Sequence, residues 1–359
     1  DDTAAFEAAL ASGKRVVVPM ATYKLTQVLW TDDSVVANDS GTYITKPLIV
    51  SKAVRDSAPV ERFIKQFNAS GSHAVLHLRG ACYDSYRNRI VAAYVTARNE
   101  YVADASSADL VIKVYDQNFN EISGAGNTIA GMACTGGICY NSKLDKICVA
   151  TGTANAQIKL LDPVTFTVSS TQNFTDPDND YGCARQIAYD DANDIYYVLY
   201  DNDGDLNTLT ISGDFTESLN DCLLDPWNDL IEAIGVTAAT GAFYVHGGIV
   251  YKEQFLQLII SGPEYSGEYG CNGTYICQYN YESRELKKVY RIGTNYYKGE
   301  EPRTLVNVNG KVYCLSNIST TANKNYVSVT QLIMDERVDG EYNDVYKDAK
   351  IISAVGTRS

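Results

Sequence analysis

Apolar and polar positions follow the same order five times along the chain. A short apolar run gives way to a polar turn, and a second run follows that alternates or is wholly apolar. The stretches are Ala81–Val95 (ACYDSYRNRIVAAYV), Ile138–Ala150 (ICYNSKLDKICVA), Ile187–Tyr200 (IAYDDANDIYYVLY), Ile249–Ser261 (IVYKEQFLQLIIS) and Leu305–Ser316 (LVNVNGKVYCLS). Short runs rich in Tyr, Val and Ile and bounded by Asn, Asp and Gly read as antiparallel hairpins. Corresponding positions recur roughly every 50–60 residues, the spacing of propeller blades with loop insertions. A lone hairpin cannot bury both faces, so the repeat predicts stacking around an axis.

Each unit carries a further strand pattern: Asp109–Asp116, Ala156–Asp162, Leu206–Ser212, Thr274–Asn280 and Tyr326–Met334. In the first four a last short run completes a second hairpin, giving four strands per blade. The expectation is an all-β fold, a five-bladed β-propeller over about residues 70–335. Residues 1–69 are read as an N-terminal helix-plus-strand capping element with a linker, and 336–359 as a C-terminal extension. A sixth blade would require the C-terminal segment to close another sheet.

Composition narrows the function classes. No apolar run approaches the roughly 20 residues needed for a membrane-spanning helix, so no membrane insertion is expected. The net charge of −14 argues against nonspecific nucleic-acid binding, which needs basic surface. The chain starts Asp-Asp-Thr without Met, which reads as a fragment or cleaved product, and no signal peptide is visible. Five of the nine cysteines (Cys82, Cys139, Cys148, Cys277, Cys314) fall inside strand patterns, where they read as small buried hydrophobes. Free thiols and folding in a reducing cytoplasm are expected, although Cys134/Cys139 and Cys271/Cys277 are close enough in sequence to pair. The 27 tyrosines suit sheet faces and sugar-stacking surfaces alike.

The first residues carry a separate signal. Asp1–Ala11 reads as a capped amphipathic helix with Gly13 as its stop, Lys14–Val18 as a strand, Pro19–Thr22 as a turn and Tyr23–Leu25 as a strand. This run, DDTAAFEAALASGKRVVVPMATYKLT, resembles the segment that opens the β-helix of bacteriophage tailspikes and other pectate-lyase-like proteins, with Ala21 where the pattern has Gly. The resemblance implies a helix capping a solenoid, and a place in a phage tail fibre or tailspike. It further implies a homotrimer assembled with other tail proteins, whose distal part recognises the host surface; with the cysteine pattern, the chain is expected to fold in the host cytoplasm. Between Tyr23 and Phe67 there is room for two coils at most, so the family's catalytic carboxylates, which lie on later coils, are not carried over. Asp56–Asn68 reads as a second short helix, with Val60, Phe63, Ile64 and Phe67 on one face.

Candidate chemistry lies in the connections. Asp176, Asp178 and Asp180, and likewise Asp201, Asp203 and Asp205, alternate along tight loops and suit a hard cation such as Ca²⁺; otherwise they make hairpin turns. No other cofactor is indicated. Glycan cleavage would need two carboxylates about 5–9.5 Å apart. Asp84, Asp190, Asp191, Glu253, Glu264, Glu268, Glu300 and Glu301 are all candidates, and spacing singles out none. His73, His77 and His246 have no metal-ligand spacing, and no nucleophile elbow or phosphate loop is present. The loop GPEYSGEYGCNG sets Tyr265 and Tyr269 beside Glu264 and Glu268, and Tyr296 and Tyr297 follow in the next connection. Aromatic faces with carboxylates nearby suit sugar stacking and hydroxyl hydrogen bonding. The reading is a tail component that binds a host-surface glycan. The alternatives are a tailspike depolymerase and a structural tail adaptor.

Overall fold

A computed structural model of the chain describes residues 4, 5, 8, 16–18, 29–31, 36–38, 49–51, 60–68, 76–96, 108–132, 137–151, 157–173, 184–202, 205–216, 218–222, 242–252, 254–262, 273–280, 286–292, 300–319 and 325–334. Near the N-terminus Ala4, Ala5 and Ala8 are helical, and the rest of the segment read as a capping helix lies outside the described residues. Strand β1 (Val16–Val18) pairs parallel with β3 (Val36–Asn38), and β2 (Leu29–Thr31) pairs parallel with β4 (Ile49–Ser51). Partners are 20 residues apart in both ladders, as in Val16 opposite Val36 and Leu29 opposite Ile49.

The remaining strands make five antiparallel sheets of four strands each. The first holds β6 (His77–Asp84), β7 (Arg89–Val95), β8 (Leu110–Tyr115) and β9 (Glu121–Ile129). The second holds β10 (Ile138–Asn141), β11 (Lys146–Thr151), β12 (Gln157–Leu161) and β13 (Val168–Asn173). The third holds β14 (Ala184–Asp190), β15 (Ile195–Asn202), β16 (Asp205–Ser212) and β17 (Ser218–Cys222). The fourth holds β18 (Ala242–Tyr251), β19 (Gln254–Gly262), β20 (Gly273–Asn280) and β21 (Leu286–Ile292). The fifth runs β22 (Glu300–Val308), β23 (Lys311–Ser319), β24 (Asn325–Ile333) and then β5 (Val60–Asn68). The first strands contact one another in the order β6, β10, β14, β18, β22 and back to β6, so they surround the axis. This is the five-bladed propeller that the repeats predict.

Burial explains the sequence grammar. Strand β7 is buried along almost its whole length, because blades pack on both of its faces, so it reads as an apolar run. The outermost strands β9 and β13 are mostly exposed and polar. The cores lie between blades. One joins the first and second sheets (Val91, Ile112, Ile138, Val149, Phe166), and another joins the second and third (Cys148, Leu160, Ile187, Tyr196). In the first blade, burial pushes the phenols of Tyr94 and Tyr115 well above their ordinary range, and they share a 2.8 Å hydrogen bond. The in-strand cysteines Cys82, Cys139, Cys148, Cys277 and Cys314 are buried free thiols. Cys139 and Cys148 stay unbridged although they face each other on β10 and β11.

The helix expected over Asp56–Asn68 is corrected by strand β5, which pairs with β24 from Asn68 opposite Tyr326 to Val60 opposite Ile333. The register shifts between Val329 and Thr330, whose partners are Lys65 and Phe63, so Ile64 is the extra residue of a bulge. Ile64 and Phe67 therefore reach the same core, which a regular strand would not allow for residues three apart. The bulge reproduces a helical spacing, and that is what misleads the sequence reading. The Phe67 ring lies 5.1 Å from that of Tyr115, and Lys65 Nζ donates to the Phe119 carbonyl and to Asn120. The early segment thus completes the last blade and binds the first.

The turns that join first and second strands repeat one device. Tyr140 and Tyr189 donate their phenolic hydrogens to Asp145 at 2.8 Å and Asp194 at 2.7 Å, and Tyr83 donates likewise to Asn88. Asn88, Asp145 and Asp194 all hold positive φ, which Asn and Asp tolerate. The carboxylate of Asp84 accepts the Arg87 amide at 3.1 Å and bonds both Arg87 and Arg89, and it is fully buried. Arg87 then crosses to the second blade, donating to both oxygens of Asp145 at 2.7 Å. That bidentate bond holds the Asp145 carboxyl down at about 2.

Three outcomes follow from this packing. Phe67→Ala should cost about 2–4 kcal/mol in urea unfolding, because it empties the seam between the closing strand and the first blade. Asp84→Ala should cost about 3–5 kcal/mol, since it strands two arginines around a buried site. Asp145→Asn should cost under about 1 kcal/mol at neutral pH, because the pair is half exposed. The folded carboxyl of Asp145 lies below its unfolded value of about 3.9. Its stabilisation is therefore complete above that value and lost as pH falls towards 2. Parent and Asp145→Asn melting curves should accordingly differ at pH 6 and converge at about pH 2, apart from losses common to both.

Candidate functional site

Up-and-down strands assign every connection to one of two ends of the axis. The ends of the first strands carry short turns: residues 85–88, 142–145, 191–194, 252–253 and 309–310. At Asn309-Gly310 both residues hold positive φ, as the tightest hairpin turn requires. The starts of the first strands share the other end with the longer connections 96–109, 130–137, 174–183, 223–241, 263–272 and 293–299. We refer to this end as the mouth.

The residues singled out for ligand stacking and for a cation belong to mouth connections or the strand ends beside them. Glu264, Tyr265, Glu268 and Tyr269 fall between β19 and β20, and Tyr296 and Tyr297 between β21 and β22. Asp176, Asp178 and Asp180 fall between β13 and β14. These residues and Asp203 lie outside the described residues. Asp201 and Asp205 are strand residues, and Asn202 pairs with Asp205, so they flank the connection between β15 and β16. Among the described residues no cluster of three His, Cys, Asp or Glu side chains could hold a metal ion.

The acidic candidates separate by end. Asp84, Asp190 and Asp191 stand at the short turns, away from the mouth. Asp84 is committed to the arginines described above. Asp190 accepts the amides of Ala192 and Asn193 at 3.0 and 3.3 Å and the side-chain amide of Asn193 at 2.7 Å. Asp191 accepts a hydrogen bond from Ser142 of the neighbouring blade. Glu300 and Glu301 begin β22 at the mouth, where Glu301 bonds Arg303 at 2.7 Å. Glu253 lies outside the described residues.

The sequence reading missed a feature of the strands at this end. Each of β6, β14, β18 and β22 skips one residue in pairing with its neighbour. The skipped residues are Arg79, Arg185, Gly247 and Arg303. Such bulges re-aim side chains. Glycines at or just after them pack tightly against the next blade. A Cβ on Gly80 would lie 2.6 Å from the Cα of Gly137, and one on Gly247 would lie 2.5 Å from the Cα of Thr304. Thr304 accepts the amide of Ala81 at 3.4 Å, and Asn317 of the fifth blade pairs with the backbone of Leu78 in the first, donating at 3.2 Å and accepting at 3.1 Å. Arg79 and Arg303 are 9% and 5% exposed, and His77 is buried two residues before Arg79. No spacing rule announces a bulge, and isolated arginines in strands carry no other sign.

No protein-family model matches the sequence, and no curated protein matches it. Solved structures do resemble it. The tail fiber of Staphylococcus aureus phage P68 matches with a TM-score of 0.51 at 11% identity, covering 84% of this chain and 57% of that one. An exo-beta-1,3-galactanase from Phanerochaete chrysosporium matches with a TM-score of 0.47 at 10% identity, covering 74% of this chain and 64% of that one. The Bacillus subtilis arabinanase Arb43A matches with a TM-score of 0.45 at 8% identity, covering 75% and 97%. The chain thus spans little more than half the length of the tail fiber chain it matches. At these identities the likeness is one of fold, an all-β propeller shared in outline with a phage tail fiber.

Proposed function

We propose that this chain is the host-recognition part of a bacteriophage tail fibre or tailspike, and that it binds a surface glycan at the mouth of the propeller. The observation that carries the reading is topological. The tyrosine-rich connections, the acid-rich connections and the bulges around the axis all belong to one end, and the opposite end is consumed by turn and blade-to-blade contacts. Long loops on a rigid scaffold are where binding groups concentrate. The resemblance of the first residues to the opening of phage β-helices supports a tail location, as do the two parallel ladders with their common 20-residue step. Trimeric assembly with other tail proteins belongs to the same reading. Folding in the host cytoplasm fits the buried thiols, and the acidic mouth loops are offered as Ca²⁺ positions on the same footing. Binding is favoured over cleavage because Asp84, Asp190 and Asp191 serve the turns and Glu301 is paired with Arg303.

Tyr265→Ala, Tyr269→Ala, Tyr296→Ala and Tyr297→Ala should each weaken adsorption to bacterial surface glycans. A buried stacking ring is worth about 1–3 kcal/mol, or roughly 5- to 150-fold in affinity. Melting temperatures should stay at the parent value, and no reducing ends should appear. Reducing ends released from envelope polysaccharide would move the assignment to a depolymerase. Undiminished adsorption of all four variants would take the site away from these connections.

A further inference from the structure

The register gives each buried in-strand cysteine its cross-strand neighbours. Cys82 faces Val91, Cys277 faces Gln257 and Val289, and Cys314 faces Leu305 and Thr330. Among these five cysteines only Cys139 and Cys148 face each other, across the first two strands of the second blade. Both belong to the core shared with the third blade, at 6% and 0% exposure. The ladder fixes how they meet. The Ala150 amide donates to the Gly137 carbonyl at 3.0 Å. Bonded pairs alternate along an antiparallel ladder, so Cys139 and Cys148, two residues further on, are again a bonded pair. Such a pair sets its Cα atoms about 5.5 Å apart, inside the range of roughly 4.4–6.8 Å that a disulfide spans. A hydrogen bond already joins the two thiols.

We infer that Cys139 and Cys148 are a latent disulfide, reduced in the cytoplasm and closed by a peroxide outside it, and that closure locks the second blade. The change of surroundings rests on the tail reading above, whereas the chemistry rests on the ladder. One sulfur attacks the O–O bond, keeps one oxygen as a sulfenic acid and releases the other as water. The second sulfur then displaces that hydroxyl as a second water, and the S–S bond forms. Two thiols and one hydrogen peroxide thus give one disulfide and two waters, with both thiol protons ending on water. Burial pushes the Cys139 thiol above its ordinary range, so little thiolate is present and the pair stays reduced where thiols are in excess. The strand that opens to admit the oxidant is β10, at four residues the shortest of the five first strands. The hairpin so bridged carries the turn 142–145. That turn holds Arg87 of the first blade through Asp145, and Asp191 and Asp194 of the third through Ser142 and Lys143. A bridge across its base restricts the opening of the segment that binds both neighbours. Tyr196, whose hydroxyl lies 3.3 Å from the Cys148 sulfur, keeps its 2.6 Å bond from Asn141, so closure strands no buried hydroxyl.

The test treats the folded full chain with hydrogen peroxide, alkylates the remaining thiols in denaturant and maps peptides without reduction. Trypsin leaves Cys139 on residues 114–143 and Cys148 on residues 147–159. These two peptides should be recovered linked, with fragmentation placing the bridge at Cys139 and not at Cys134, which shares its peptide. The oxidised chain should melt a few degrees higher and return to its starting value with a thiol reductant. Cys139→Ala and Cys148→Ala should show neither the link nor the rise. Recovery of the two peptides unlinked would overturn the inference, as would a bridge from Cys139 to Cys134. A linked pair with an unchanged melting temperature would remove the lock. Should a variant fail to fold, the mapping of the parent decides alone. No ligand enters the assay, so none of these results bears on the glycan reading.

Discussion

The pairing of β5 with β24 is the contact on which the ring depends. Five sheets around an axis have a seam, and a seam left open would expose the edge of β24 and the core shared by the fifth and first blades. The chain closes it with a strand drawn from before the first blade. The consequences spread from there. Phe67 and Ile64 fill the core on one side, Lys65 reaches the Phe119 carbonyl on the other, and Asn317 and Thr304 continue the tie at the axis. Because the partners are far apart in sequence, the last pairing to form carries a large loop-closure cost, and the blades gain full burial only once it is made.

The blades themselves were legible because blade packing demands a repeated pattern. Central strands buried on both faces must read as apolar runs, outer strands must read as polar, and each turn must reverse the chain with Asn, Asp or Gly. The Tyr83, Tyr140 and Tyr189 turns are written in the sequence almost residue for residue. The closing strand was not legible. Its bulge at Ile64 spaces apolar residues as a helix would, and the strand that pairs with it lies at the far end of the propeller. The bulges at the mouth were hidden for a related reason. Arg79, Arg185, Gly247 and Arg303 share no local motif, and only the register of each hairpin shows that they are the skipped residues. The carboxylates give the converse lesson. Asp84 and Asp190 look like catalytic candidates in sequence and prove to cap their own turns, Asp84 also holding the arginines that reach the second blade.

The two ends of the axis divide the labour. At the short-turn end the Arg87–Asp145 pair, backed by buried Asp84, ties the first blade to the second, and Ser142–Asp191 and Lys143–Asp194 tie the second to the third. At the mouth the first strands carry bulges, and Gly80 and Gly247 lie close against the backbone of the next blade.

Hydrogen–deuterium exchange with and without a bound bacterial surface oligosaccharide tests the mouth most directly. The account predicts added protection at the starts of the first strands, around 77–80, 184–187 and 300–304, and in the connections beside them. The short turns at 85–88, 142–145 and 191–194 should be unchanged. Protection confined to those turns, or to the outer faces of β9 and β13, would contradict the account.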